Sequence, residues 1–209
     1  MNLVFLGPPG AGKGTQAKAI INEFKIPQIS TGDVIRAAIK EQSSLGRQFQ
    51  EYTKKGELVP DVLVNDMVEH HLGQGDCRQG FLLDGYPRTL NQAEALEKML
   101  KKQGRKLEHV LILEVPDELL IERITGRRSD PENGRVYHVK YNPPPRELEG
   151  RLVQRNDDTE EVLKERLREY HSKTAELVPF YEKAGLLRRI KGVGSIGEIG
   201  AQVFEVLKP

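Results

Sequence analysis

The apolar segment Leu3-Val4-Phe5-Leu6 runs directly into Gly7-Pro8-Pro9-Gly10-Ala11-Gly12-Lys13-Gly14-Thr15, and this junction constrains the chain more than any other stretch. Four consecutive apolar residues suit a short buried strand. Beyond the glycines, Ala17, Ile20, Ile21 and Phe24 recur at the spacing of an amphipathic helix. Strand, glycine-rich turn and helix in that order make an anion nest. Glycine lets the backbone turn tightly, so that successive N–H groups point inward at the positive end of the helix. Within this phosphate-binding loop Lys13 adds a mobile charge for β- and γ-phosphates, and Thr15 offers a hydroxyl near a metal. The general pattern has Ser or Thr directly after the lysine; here Gly14 intervenes, which narrows the class.

Bulk properties agree with one compact α/β domain carrying insertions, at 209 residues. With 32 basic and 31 acidic side chains the formal net charge is +1, so no global field marks a nucleic-acid or membrane binder. A single cysteine, Cys77, excludes an internal disulfide and a cysteine-based metal cluster. The chain opens straight into its first strand, and no apolar run approaches membrane length, so a reducing cytoplasm is the expected compartment.

Strand and helix patterns alternate, which predicts a mainly parallel sheet. Candidate strands are Leu3 to Leu6, Pro27 to Ile29, Phe81 to Asp84, Val110 to Val115 and Leu186 to Ile190. Helical patterns lie between them, such as Val64, Met67, Val68 and Leu72, and a final one runs through Ile196, Ile199, Val203, Val206 and Leu207. Two stretches break the alternation. Ser30 to Val59 holds helices but no strand. Gly126 to Asp158 is polar and rich in turn formers, and Asn133-Gly134 before Arg135-Val136-Tyr137-His138-Val139 reads as a hairpin. Two inserts beside one phosphate loop suggest a site that closes over a second substrate.

Phe81-Leu82-Leu83-Asp84-Gly85 is a strand ending in a carboxylate, placed to orient magnesium-bound water beside the phosphate loop. Arginines form a third signal. Arg123 shares a helix face with Leu120 and Ile124, and Arg166 with Leu163, Leu167 and Tyr170. Such arginines can snorkel at the edge of a core or present a guanidinium fork to phosphoryl oxygens. Arg36, Arg88, Arg127 and Arg155 fall at expected segment junctions. This many rigid cations suits a reaction that needs charge neutralisation more than a base.

Taken together, Gly7 to Thr15, Ser30-Thr31-Gly32-Asp33 with Arg36, Gly56-Glu57-Leu58-Val59-Pro60-Asp61, Asp84-Gly85-Tyr86-Pro87-Arg88-Thr89 with Gln92, Gly126-Arg127-Arg128, Gly134 to His138, Arg155-Asn156-Asp157-Asp158 and Arg166 resemble the adenylate kinase family, in its long-lid form, along essentially the whole chain. The resemblance implies a P-loop fold with five parallel strands. Its core would be 1–29, 60–125 and 159–209, its monophosphate-binding domain 30–59, and its lid 126–158. It implies reversible phosphoryl transfer from MgATP to AMP, giving two ADP, by a monomer serving adenine-nucleotide balance.

By the same resemblance Gly10, Ala11, Gly12, Lys13, Gly14 and Thr15 would hold the ATP phosphates. Arg123 and Arg127 would cover them, Val136 and Tyr137 would touch the nucleoside, and Gly194 would meet the adenine. Thr31, Arg36, Glu57, Leu58, Val59, Gly85, Tyr86, Pro87, Arg88 and Gln92 would hold AMP. Lys13, Arg88, Arg123, Arg155 and Arg166 would act on the transferring group, Arg155 and Arg166 also reaching AMP, with Asp84 acting through magnesium-bound water. An AMP phosphate oxygen is already anionic, so none of the five histidines is needed as a base.

Family members that bind structural zinc do so through four lid cysteines. Here Ser129, Asp130 and Asn133 stand in that region, so zinc is not expected and polar hydrogen bonds should hold the lid. Pro145 to Arg151 shows no recognisable pattern. Tyr86 occupies a position where phenylalanine is familiar. Thr31 and Gln92 favour AMP over a pyrimidine monophosphate; a GTP donor stays open, because donor-base contacts are partly backbone. A P-loop switch would carry a guanine-reading Asn-Lys-x-Asp, which is absent.

Overall fold

The computed structural model describes residues 1–208; Pro209, the last residue assigned to the expected core, lies outside them. In chain order the elements are β1 (Asn2–Leu6), α1 (Lys13–Phe24), β2 (Gln28–Ser30), α2 (Thr31–Lys40), α3 (Ser44–Lys55), α4 (Asp61–Leu72), β3 (Phe81–Asp84), α5 (Leu90–Lys102), β4 (His109–Glu114), α6 (Asp117–Thr125), β5 (Arg127–Ser129), β6 (Val136–His138), α7 (Glu160–Glu169), α8 (Leu177–Lys183), β7 (Leu187–Lys191) and α9 (Ile196–Leu207). The five strands β2-β3-β1-β4-β7, in that spatial order, form one parallel sheet. They are the five strands expected, with ends shifted by a residue or so; Ser30, expected to open the helical insert, closes β2 instead.

Both faces of the sheet are covered, which is why β1 is buried throughout and apolar without alternation from Leu3 to Leu6. Side chains of a strand still point alternately up and down. Val4 and Leu6 join Phe81, Leu83, Val110 and Ile112 against α4, α5 and α8. Leu3 and Phe5 join Leu82, Leu111 and Leu113 against α1 and α9. A smaller cluster, Leu120 and Ile124 with Leu163 and Leu167, joins α6 to α7. It fixes the helices that carry Arg123 and Arg166.

Residues after β2 form the helical pair α2 and α3, started by Ser30 and Ser43, whose hydroxyls accept from the N–H groups of Asp33 and Gly46. The second insert holds the expected hairpin. β5 and β6 pair antiparallel, joined by a loop that contains Asn133 and Gly134, the latter at φ 67°. Pro145 to Arg151, unpatterned in sequence, holds a short 3-10 turn at Arg146–Leu148. Around the hairpin the lid is knit by polar contacts. Asp130, 1% exposed, accepts from Arg151 Nη2 (2.7 Å), Asn133 Nδ2 (2.8 Å) and the Glu132 N–H (3.0 Å).

Candidate active site

The strand-to-helix junction delivers its glycines where backbone freedom is required. Gly10 and Gly12 adopt φ of 83° and 99°, in the left-handed region, and a Cβ on Gly10 would sit 2.9 Å from the Ile124 side chain. Lys13 is the first residue of α1, and its Nζ donates to the carbonyls of Gly7 (2.7 Å) and Pro8 (2.9 Å). Its ammonium therefore curls back over the loop. Burial lowers the Lys13 pKa to about 8; Asp84 opposes the shift, while Arg88, Arg166 and Arg127 add to it.

Asp84 ends β3, paired in register with Phe5 of β1. Burial raises its pKa, with Lys13 and Arg88 pulling the other way, and Gln28 Nε2 donates to Oδ2 at 3.1 Å. A Cβ on Gly14 would lie 3.9 Å from that oxygen, so the first turn of α1 stands beside the carboxylate. One carboxylate near one exposed hydroxyl, Thr15, is too few donors for a dedicated metal cage. Among the described residues no three His, Cys, Asp or Glu side chains cluster. The donor set does fit a magnesium ion that arrives with phosphates and keeps most of its water.

A cavity of about 920 Å³ opens from this loop. The core contributes Lys13, Gly85, Pro87, Arg88 and Gln92 to its wall, and the helical insert contributes Thr31, Arg36, Glu57, Leu58 and Val59. Arg155 and Arg166 close it from the far side, with Ser129, Asp130 and Gly134 of the lid at its edge. Each cation has a local reason for its pose. Arg88 Nε donates to the Gly85 carbonyl (2.8 Å), Arg155 Nε to Ser129 Oγ (3.1 Å) and Arg166 Nη1 to Asp157 Oδ2 (2.9 Å). Burial holds all three guanidinium pKa values below the ordinary range, to about 10 for Arg155 and Arg166. Repulsion by neighbouring arginines adds to burial in every case.

Thr31 is buried and donates to the Gly85 carbonyl at 2.9 Å, tying the start of α2 to the end of β3. Arg36 pairs with Asp33, one turn earlier on α2. It lies in the middle of that helix and not at the segment junction expected, because Ser30 caps a helix that begins at Thr31. Against burial, which would raise it, Arg36 holds the Asp33 carboxyl below its usual value. Gln92 is 2% exposed and has both ends of its carboxamide engaged. Oε1 accepts the Arg88 N–H (2.8 Å), and Nε2 donates to Asp61 Oδ1 (2.6 Å).

Other expected residues do not line this cavity. Tyr86 is fully buried, its hydroxyl donating to Asn65 Oδ1 at 2.7 Å with the Gln92 carbonyl 3.1 Å away, so its ring belongs to the core. Arg123, Arg127, Val136, Tyr137, Gly194 and the loop residues Gly10, Ala11, Gly12, Gly14 and Thr15 stand outside the cavity wall. Arg123 Nη1 donates to the Ala11 carbonyl at 3.3 Å, which keeps it over the phosphate loop. Arg127 makes a two-pronged contact with the fully buried Asp158, Nε to Oδ2 at 2.9 Å. Gly194, at φ 129°, precedes the Ser195–Glu198 capping box of α9.

Four supporting residues were given no role by sequence reasoning, although Asp61, Asp157 and Asp158 stand in motifs it quoted. Asp157 and Asp158 orient Arg166 and Arg127, and their run of two acids beside Arg155-Asn156 is the only local signal they give. Asp61 reaches Gln92. Thr174, on a single π-turn after α7, donates to the Arg88 carbonyl at 2.9 Å, a contact across 86 positions that no local pattern announces.

Residues 5–186 match the family model described as adenylate kinase. The chain is 51% identical to an adenylate kinase of Carboxydothermus hydrogenoformans, with all of both chains aligned. It is 45% identical to those of Fusobacterium nucleatum, covering 99% of this chain and 98% of that one, and of Geotalea daltonii, covering all of both. With a nest-forming loop, a carboxylate at the end of β3 and arginines converging from three elements, the chain belongs to the adenylate kinase family.

Proposed function

We propose that the protein catalyses reversible phosphoryl transfer from MgATP to AMP, giving two ADP, and so balances adenine nucleotides. The carrying observation is the convergence of Lys13, Arg88, Arg155 and Arg166 on one cavity, delivered by the phosphate loop, the loop after β3, the end of the lid and α7. Two polyanions cannot approach in line unless their charges are cancelled, and rigid cations do this without a proton transfer. ATP phosphates would lie on Gly10 to Thr15 beneath Arg123 and Arg127. Val136, Tyr137 and the backbone near Gly194 would meet its nucleoside. AMP would occupy the cavity side, between Thr31, Arg36, residues 57–59 and Gly85 to Arg88, with Tyr86 contributing main chain only.

Asp84 and Thr15 would hold the water shell of magnesium, which supplies further neutralisation of phosphoryl oxygens when it arrives with ATP. The segments 30–59 and 126–158 act as the AMP-binding domain and lid around a core of 1–29, 60–125 and 159–209. Closure excludes the water that would otherwise take the phosphoryl group. The enzyme acts as a monomer in the cytoplasm; no described helix is long and apolar enough to cross a membrane.

Incubation with MgATP and each nucleoside monophosphate, followed by chromatography, tests the reading. ADP should form fastest with AMP, and ADP alone should disproportionate. Faster transfer to CMP or UMP would overturn the acceptor, and phosphate release without an acceptor would overturn the kinase reading.

A further inference from the structure

Asp61 begins α4 on the far side of Gln92 from the cavity, and its two carboxylate oxygens are both used. Oδ1 accepts Gln92 Nε2 at 2.6 Å, and Oδ2 accepts the Thr89 hydroxyl at 2.8 Å. Opposite, the Arg88 N–H donates to Gln92 Oε1 at 2.8 Å. An ionised carboxylate can only accept, and a backbone N–H can only donate. The Gln92 carboxamide is therefore locked one way round. Reversing it would set oxygen against carboxylate and NH₂ against N–H, both repulsive and both in a buried position.

A carboxamide has two N–H groups and two acceptor lone pairs. Asp61 and Arg88 each consume one, which leaves a single N–H and a single lone pair on a residue that lines the cavity. That remainder matches a purine edge offering a ring-nitrogen acceptor beside an exocyclic amino donor, as adenine does. It opposes hypoxanthine and guanine, whose N1–H donates and whose O6 accepts.

We propose that Asp61 is a specificity-determining positioning residue: with the Arg88 N–H it opposes the carboxamide flip, so that Gln92 accepts a 6-amino purine monophosphate and rejects a 6-oxo one. Specificity here is the cost imposed on the wrong base as much as the bond to the right one. This inference rests on AMP being the acceptor, and inosine monophosphate is the sharpest probe because it differs from AMP only at that edge.

The experiment measures kcat/KM for AMP and for inosine monophosphate at saturating MgATP, in wild type, Asp61→Asn and Thr89→Ala. Wild type should prefer AMP. Asp61→Asn, whose own amide tolerates either orientation of Gln92, leaves the Arg88 N–H as the one group opposing the flip and should lower the AMP-to-inosine ratio at least ~10-fold through the monophosphate KM values, with the KM for ATP unmoved. Thr89→Ala also removes the cap that accepts the Gln92 N–H at 3.2 Å but leaves the Asp61 carboxylate facing Gln92 Nε2, and should retain the wild-type ratio. An unchanged ratio in Asp61→Asn, even with both rates reduced, overturns the inference, as does an equal loss of selectivity in Thr89→Ala. A wild type that does not prefer AMP overturns the acceptor reading itself. Should Asp61→Asn fail to fold, NMR coupling across the Gln92 Nε2–Asp61 hydrogen bond in AMP-bound wild type decides the matter; its absence overturns the proposal.

Discussion

Lys13 shows how a single residue is tuned by the groups packed around it. Its ammonium must be charged to hold a phosphate, yet burial and three arginines bring its pKa to about 8. The proton is thus lost as pH rises through that value, and kcat/KM for ATP, which reports the free enzyme, should fall above pH 8. In the loaded enzyme the polyanion favours the charged form, so kcat should hold to higher pH. Pre-steady-state and steady-state rates across pH 6.5–10 check this, with Lys13→Arg expected to remove the limb. Fold stability moves in the opposite direction: the unfolded chain binds this proton above pH 8 and the folded one does not, so the Lys13 contribution to stability improves as pH rises through that window. Lys13→Ala or Arg88→Ala should each lose at least ~100-fold in turnover with an unchanged circular dichroism spectrum. Near-normal turnover in either would remove that residue from the machinery.

At the level of elements, α2 and α3 cross so closely that only glycine fits between them. A Cβ on Gly46 would lie 2.0 Å from the Ala38 carbonyl oxygen and 2.9 Å from the Ile39 nitrogen. Backbone cannot yield as a side chain would, so Gly46→Ala should destabilise the α2–α3 pair by on the order of 1–3 kcal/mol or more. Hydrogen exchange should locate the loss in residues 31–55, with the KM for AMP raised and β1 to β4 still protected. The lid rests on a different device. Asp130 gathers Arg151, Asn133 and the Glu132 N–H at the tip of the hairpin, and those donors lose their acceptor if it is removed. Asp130→Ala should speed exchange at residues 127–153 and slow turnover while the core melts as before. Uniformly altered protection would place Asp130 in global rather than lid stability.

Over the whole molecule, the cations come from parts of the chain far apart in sequence. Lys13 and Arg88 belong to the core, Arg155 to the chain leaving the lid and Arg166 to α7. Their pKa values are all depressed by burial and by repulsion from neighbouring arginines, Arg36 and Arg127 among them, so the fold holds an unfavourable charge cluster that two polyanionic nucleotides would relieve. Arg155→Met should therefore raise the melting temperature of the nucleotide-free protein, by about 1 kcal/mol of stability, while transfer falls at least ~100-fold. Calorimetry with and without nucleotide checks both parts; a lower melting temperature without nucleotide would show that Arg155 stabilises the fold instead.

What could be read along the chain was whatever local periodicity and turn chemistry encode. The phosphate loop, the five parallel strands, the Asp84 terminus of β3 and the hairpin at Asn133-Gly134 are each set by residues within a few positions of one another. Arg123 and Arg166 were legible because a helical stripe places them beside Leu120 and Leu163, which the α6–α7 cluster then buries. Long-range partners were not. Arg36 proved to be mid-helix, Tyr86 turned its ring into the core, and Gln92 found its carboxamide fixed by Asp61, thirty-one positions away, and by the Arg88 backbone. Thr174 reached the Arg88 carbonyl across 86 positions. A hydrogen bond needs donor and acceptor within about 3 Å and aligned, and only the packed chain sets that distance. Sequence alone determined which chemistry the loops and strands could carry; tertiary structure decided which polar groups hold one another, and so which atoms remain free to meet a ligand.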